Sequence, residues 1–141
     1  MDDGKVVFVD TNVLVSGIFF DGPEAELLDT RGARLVTAEV CRGELVEVAV
    51  RKADALGVTE KGARKMLDGA LVDVDVVPEK EYEGRYDEAA EVVGERNDAE
   101  VLACALFVEP DYFVTGDSDF HAEGVEKKVN VTETTELLER L

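Results

Sequence analysis

The stretch Val6-Val7-Phe8-Val9-Asp10-Thr11-Asn12 decides the fold of this chain. Its continuous run of β-branched and aromatic residues predicts a strand that is buried on both faces, as in a parallel sheet. The run stops at Asp10, and an acid directly after buried apolar residues needs a partner. Thr11 and Asn12 either form a turn or fix Asp10 through hydrogen bonds. We therefore predict a buried strand that carries a functional acid, Asp10, at its carboxyl end.

Similar short apolar runs recur along the chain, and segments with helical spacing separate them. The predicted strands are Val6–Val9, Leu35–Thr37, Val74–Val77, Tyr112–Thr115 and Val129–Val131. The predicted helices are Pro23–Thr30, Ala38–Lys52, Thr59–Leu71, Asp87–Glu95, Asp98–Val108 and Glu133–Leu141, the last with Thr132 as its cap. The acidic and aromatic segment Pro78–Tyr86 is predicted to be a loop. This alternation indicates right-handed crossovers and an α/β fold with a parallel sheet covered on both faces.

Length and composition indicate one folded domain. With 141 residues, of which 45% are hydrophobic, the chain can bury a core and falls within the usual single-domain size, so we predict one domain over residues 1–141. Ala103–Val108, among the longest apolar runs, is far shorter than the ~20 residues of a membrane span. Residues 1–15 lack a signal-peptide pattern, so we expect no membrane contact and a cytoplasmic location. Cys41 and Cys104 lack zinc-site spacing and are predicted to be buried thiols.

Net charge is the unusual feature of the composition. The chain has 33 acidic and 15 basic residues, a formal charge of −18. Such self-repulsion largely disappears only near 1 M salt, where the screening length is roughly 3 Å, and together with the scarcity of lysine it predicts a halophilic protein. The charge also disfavours binding of nucleic acid through basic residues alone. The candidates for gripping a phosphate are Arg42, Arg51, Lys52, Arg85 and Arg96.

Acidic residues gather around the predicted strand ends, where ligands bind in doubly wound sheets. Asp10 ends the first strand, and Asp117 and Asp119 come just after the Tyr112 strand. Glu44 lies about two turns into the helix after the second strand, and Asp98 opens the helix before the Tyr112 strand. Sparse sets of carboxylates suit Mg²⁺ or Mn²⁺. Such ions serve phosphodiester hydrolysis, in which they activate water and neutralise charge on the phosphate.

Several of these residues also have a purely structural interpretation. Asp98 could cap its helix, Asp117 and Asp119 could be turn residues, and Glu44 could be one exposed glutamate among many. His121 is predicted to be a loop residue rather than a general base. The chain contains neither a GxxxxGKS/T phosphate loop nor a GxGxxG dinucleotide motif, which disfavours both of those functions.

Four segments, in order, resemble the motifs of the PIN domain family. They are FVDTNVLVSG at residues 8–17, TAEV at 37–40 leading to Glu44-Leu45, DAEVLACAL at 98–106 and TGDSDF at 115–120. Their order and spacing match from about residue 5 to residue 132. The subgroup that the chain most resembles consists of stand-alone VapC-like proteins, described as the toxins of toxin–antitoxin pairs.

The resemblance implies a three-layer α/β/α fold with a mostly parallel five-stranded sheet in the order 3-2-1-4-5. In that order the strands that carry Asp10 and Asp117 are neighbours. The metal-binding acids that it implies are Asp10, Glu44, Asp98 and Asp117, with Asp119 as a less constant addition. The supporting residues are Thr11, Asn12 and Thr115.

The function implied by the resemblance is a metal-dependent endoribonuclease, the toxin of a VapC-type pair. It implies Mg²⁺ or Mn²⁺ as cofactor, RNA as substrate, a homodimer, and a small antitoxin that blocks the site. Asn97 stands where the subgroup commonly has a further acid, and Gly43 interrupts the helix that carries Glu44. Two alternatives are a housekeeping PIN nuclease that processes RNA, and a catalytically silent PIN domain that acts as a binding module.

Overall fold

A five-stranded sheet in the order β3-β2-β1-β4-β5 forms the centre of the fold. The structure, a computed structural model, describes residues 4–141. All four strand pairings are parallel. The strands are β1 (Lys5–Val9), β2 (Ala33–Ala38), β3 (Val74–Val77), β4 (Tyr112–Val114) and β5 (Val131–Thr132). The predicted α/β class and the implied strand order are therefore confirmed.

Helices cover both faces of the sheet. They are α1 (Thr11–Phe19), α2 (Pro23–Leu28), α3 (Glu39–Lys52), α4 (Glu60–Ala70), α5 (Glu79–Tyr82), α6 (Tyr86–Ala90), α7 (Arg96–Val108), α8 (Glu123–Glu126) and α9 (Thr134–Leu138). Short 3₁₀ turns occupy Glu83–Arg85 and Ser118–Phe120. No helix within this described part of the chain combines the length and apolar character that crossing a bilayer demands.

The alternation of side chains along β1 divides the core between the two faces of the sheet. Val7 and Val9 belong to a cluster with Leu14 of α1, whereas Phe8 belongs to the cluster that contains most of α7. Phe8 packs edge to face on Phe113 of β4, with ring centroids 5.2 Å apart. Because β1 is covered on both faces, its carboxyl end is held firmly at the centre of the sheet edge.

Helix α1 follows β1 directly and is missing from the sequence-based prediction. Asp10 is its N-cap, and Thr11 and Asn12 are its first residues rather than a turn. The segment after Asn12 is almost entirely apolar, with Val13 and Leu14 buried. Ser16 is the one polar side chain after Asn12 in this helix, so the spacing that marks an amphipathic helix is weak.

Three other local predictions are wrong. Pro78–Tyr86 is not a loop, because α5 and a 3₁₀ turn lie there and Tyr82 is buried, with its hydroxyl accepting the Val40 N–H at 3.2 Å. The helix predicted up to Glu95 ends at Ala90. The last helix begins after Glu133 with no side-chain cap, since the Thr132 hydroxyl donates to the Glu133 carbonyl at 3.3 Å.

Candidate metal centre

Asp10 is fixed between the ends of the two central strands. β1 and β4 are neighbours, and the Asp10 N–H donates to the Val114 carbonyl at 3.1 Å. One carboxylate oxygen of Asp10 accepts the Thr11 N–H, and the other accepts the Thr115 hydroxyl, both at 2.7 Å. Only 6% of the residue is exposed. Asp10 therefore ends β1, caps α1 and ties both to the segment after β4.

The Thr115 hydroxyl orders the loop that follows β4. Besides donating to Asp10, it accepts the Asp117 N–H at 3.0 Å. Asp117 in turn accepts the Asp119 N–H at 2.9 Å through its carboxylate, and Asn12 accepts the Gly116 N–H at 3.4 Å. This chain of hydrogen bonds holds the acidic loop against the start of α1.

Three acids come together beyond the strand ends, and we call them the acidic triplet: Asp98, Asp117 and Asp119. Their carboxylate oxygens lie within 4.8 Å of one another. Asp98 lies in the first turn of α7, where its N–H donates to the Glu95 carboxylate at 2.9 Å. Glu95 is thus the cap of α7, and the interpretation of Asp98 as a cap is wrong. The side chain of Asp98 meets the loop after β4 instead.

Glu44 and Asp10 line one cleft with part of the triplet. A cleft of about 410 Å³ is bordered by Asp10, Glu44, Asp98 and Asp117. Glu44 reaches it from α3, with its carboxylate accepting the Thr11 hydroxyl at 2.8 Å. Asp10 and Glu44 do not belong to the 4.8 Å group. A larger cavity of about 630 Å³ lies between α1, α2 and β3, but the triplet does not border it.

Burial, assisted by neighbouring negative charges, raises the pKa values of Asp10, Glu44 and Asp98. Partial burial, followed by the charges of Asp117, Glu95 and Asp119, raises the pKa of Asp98 to about 7. Burial raises the pKa of Asp10, although its hydrogen bonds from Thr115 and Thr11 oppose the rise. The carboxylates of the triplet therefore repel one another as they stand.

The donor chemistry of the triplet fits a divalent cation. Among residues 4–141, no lysine or arginine forms an ion pair with Asp98, Asp117 or Asp119. The donors are all carboxylate oxygens, the ligands that Mg²⁺ and Mn²⁺ prefer. A cation would offset both the burial and the neighbouring negative charges that raise the pKa of Asp98, so the residues present suit such an ion.

Two neighbours of the site carry structural roles. Glu95 is absent from the predicted site, because glutamate is not among the preferred N-cap residues and its position therefore gave no signal. Its charge also raises the pKa of Glu44, after burial and the charge of Asp10. His121 lies 2.9 Å from the Thr115 carbonyl through Nε2, where it supports the acidic loop.

Solved structures share this fold. A chain of the VapBC2 complex from Rickettsia felis bound to a DNA fragment from its promoter aligns with a TM-score of 0.71 at 14% identity, over 91% of this chain and 98% of that chain. A chain of VapBC-1 from nontypeable Haemophilus influenzae aligns with a TM-score of 0.63 at 16% identity, over 92% of this chain and 98% of that chain. A chain of a toxin–antitoxin complex from Klebsiella pneumoniae aligns with a TM-score of 0.65 at 16% identity, over 91% of this chain and 97% of that chain.

Sequence comparison assigns the family. Comparison with curated proteins yields no significant match. The family model described as PIN domain matches residues 8–140, nearly the whole chain and all four acidic motifs. The strand order and the structural similarity agree with that match. The chain belongs to the PIN domain family.

Proposed function

We propose that this protein is a metal-dependent endoribonuclease and the toxin of a VapC-type toxin–antitoxin pair. The observation that carries the proposal is the acidic triplet, whose carboxylate oxygens lie within 4.8 Å of one another in a PIN domain. The net charge of −18 disfavours binding of nucleic acid through basic residues alone, so the proposed activity requires a bound cation.

In this proposal Asp98, Asp117 and Asp119 hold Mg²⁺ or Mn²⁺, and Asp10 and Glu44 complete the acidic border. The ion would supply an activated water and offset the charge of the phosphate. Thr115 holds the Asp117 backbone and the Asp10 carboxylate in register. The Thr11 hydroxyl occupies one oxygen of Glu44, which leaves the second oxygen to accept a proton from water in the cleft. Asn12 supports the loop through Gly116.

The toxin role rests on fold similarity to chains from toxin–antitoxin complexes. A small antitoxin that covers the cleft and a homodimer are parts of the same proposal. Endoribonuclease activity and toxicity are separate claims, and they need separate experiments.

The first experiment measures cleavage of a mixed RNA pool at high salt with Mn²⁺. The wild type should cut, whereas EDTA or Asp98→Asn should lower the rate by about 100-fold or more, the scale of one lost electrostatic contact to a transition state. Asp21→Asn is the matched control, because Asp21 is an exposed loop residue outside the cleft. Cleavage that survives EDTA and Asp98→Asn would refute the metal site. A folded protein that binds Mn²⁺ without cutting would favour the silent binding module.

The second experiment tests the toxin role by induced expression in a salt-tolerant host. The wild type should arrest growth, and Asp98→Asn, expressed to the same level, should not. Growth that continues in the presence of a demonstrably active enzyme would refute the toxin role and favour a housekeeping nuclease.

A further inference from the structure

Two basic residues line the acidic cleft. Arg51 and Lys52 are the last residues of α3, and they border the cleft together with Asp98 and Asp117. Arg51 is exposed and Lys52 is half-buried. In a chain with 33 acidic and 15 basic residues, these are the two basic residues among those that line the cleft.

In the part of the chain that the structure describes, neither Arg51 nor Lys52 forms an ion pair. The other phosphate-binding candidates from the sequence, Arg42, Arg85 and Arg96, each form one. Within the described residues, ion pairs engage Arg34, Arg42, Arg85, Arg96, Lys127, Lys128 and Arg140. Glu47 lies four residues before Arg51, the favourable order for an ion pair along a helix, yet the two form none. Arg51 and Lys52 are therefore available to an anion from outside the chain.

Their position along α3 indicates which anion they would meet. Glu44, which also borders the cleft, precedes Arg51 by seven residues on the same helix. At a rise of 1.5 Å per residue, that separation is roughly 10 Å along the helix axis. Arg51 and Lys52 consequently lie beside the acidic group rather than within it. An RNA strand with one phosphate at the acidic group would bring the adjacent phosphates to these two residues.

We propose that Arg51 and Lys52 form a clamp for RNA phosphates that flank the one being cut. This inference rests on the proposed function, because it assigns a binding role within the same cleft. Arg51 supplies a planar fork that matches two phosphate oxygens, and Lys52 supplies a compact charge. The clamp also gives this strongly acidic protein a local means of holding a polyanion.

A simpler role for both residues is to complement the carboxyl end of α3, where cations stabilise the helix dipole. That role predicts a change in thermal stability and none in RNA affinity. The clamp predicts a loss of RNA affinity whatever the change in thermal stability, so measuring both quantities on the same variants separates the two roles.

The test measures binding of a fluorescently labelled, single-stranded RNA oligonucleotide by anisotropy. Ca²⁺ replaces Mn²⁺ to offset the charge of the triplet, and gel analysis confirms that the RNA stays intact. The variants are Arg51→Gln, Lys52→Gln and the conservative Lys52→Arg. Arg42→Gln is the matched control, because Arg42 lies on the same helix, pairs with Asp68 and does not border the cleft.

The Gln variants should weaken binding several-fold and make the slope of log affinity against log salt shallower by about 0.7 for each lost contact to a single strand. Lys52→Arg should restore binding, and Arg42→Gln should match the wild type. In Mn²⁺, the Gln variants should raise KM more than they lower kcat, with a larger loss on a long oligonucleotide than on a dinucleotide.

Binding by both Gln variants that equals that of Arg42→Gln would overturn the clamp, as would a wild type that binds no RNA. An equal loss on long and short substrates would overturn the assignment to flanking phosphates. A wild type that binds RNA through these residues but cuts none would support the clamp and refute the proposed nuclease.

Discussion

Replacing Asp98 by Asn should stabilise the metal-free protein, although it removes a proposed metal ligand. The carboxylate oxygens of the triplet lie within 4.8 Å of one another, so each pair repels by about 0.9 kcal/mol at the dielectric of water and about 3.5 kcal/mol at an effective value near 20. Because the triplet is only partly buried, solvent screens it, and we expect a gain in the free energy of unfolding of about 1–2 kcal/mol for Asp98→Asn.

The gain should depend on pH. The pKa of Asp98 rises from 3.8 to about 7 in the folded protein, so between these values the folded state binds more protons than the unfolded state. Wild-type stability from this group is thus lost as pH rises from about 4 through 7. Asp98→Asn should exceed the wild type at pH 8 and approach it near pH 5.

The assay is urea unfolding in EDTA at about 0.15 M salt, where the screening length is roughly 8 Å and the triplet is still felt. Near 1 M salt, where that length is roughly 3 Å, the gain should shrink. Saturating Mn²⁺ should reverse the order, because a ligand that binds only the folded state stabilises the wild type more. Asp21→Asn removes the same charge from an exposed loop. If Asp98→Asn is no more stable than Asp21→Asn in EDTA at pH 8, the argument from repulsion is wrong.

Three further substitutions test the packing around the site by urea unfolding. Thr115→Val should cost about 1–3 kcal/mol, because one oxygen of the buried Asp10 carboxylate loses its donor while the other keeps the Thr11 N–H. Thr115→Ser should keep most of that stability, and an unchanged Val variant would contradict the hydrogen-bonded role. Gly17→Ala should cost about 1–3 kcal/mol, because its Cβ would lie 2.5 Å from Leu28 Cδ1, and full stability would show that α1 and α2 pack more loosely. Gly43→Ala should stabilise by about 0.5–1 kcal/mol, since nothing lies within 4 Å of its Cβ; a loss would indicate an unrecognised constraint on α3.

The sheet could be predicted from the sequence because its strands appear as short, mainly apolar runs that are visible locally. Val74–Val77 has the predicted bounds, and the other strands shift by only a few residues. The order of the strands is not a local property, and it came from the resemblance to a family. Helix α1 escaped prediction for the opposite reason, since its apolar surface lacks the periodicity that marks a helix.

The candidate acids could also be named from the sequence, but their grouping could not. Position after a strand marks Asp10 and Asp117, yet no local pattern shows that Asp119 and Asp98 would join Asp117 in one group while Glu44 stays outside it. Side-chain reach and the direction of α7 decide that grouping, and both depend on tertiary packing. The sequence offers Asp98 as the cap of α7 because aspartate is a preferred N-cap residue and glutamate is not, whereas in the structure Glu95 fills that position.

Asp10 has both a structural role and a proposed role in the metal site, and this affects how related sequences should be interpreted. Its carboxylate caps α1 and ties it to Thr115 after β4, so the fold itself favours an aspartate there, with or without the proposed nuclease activity. Asp98 and Asp119 have no comparable structural role. In relatives that lack the proposed activity, substitutions should therefore accumulate at these two positions first. A retained Asp10 would therefore be a poor marker of the proposed activity in a related sequence, whereas loss of the Asp98 or Asp119 carboxylate would indicate loss of the proposed metal site.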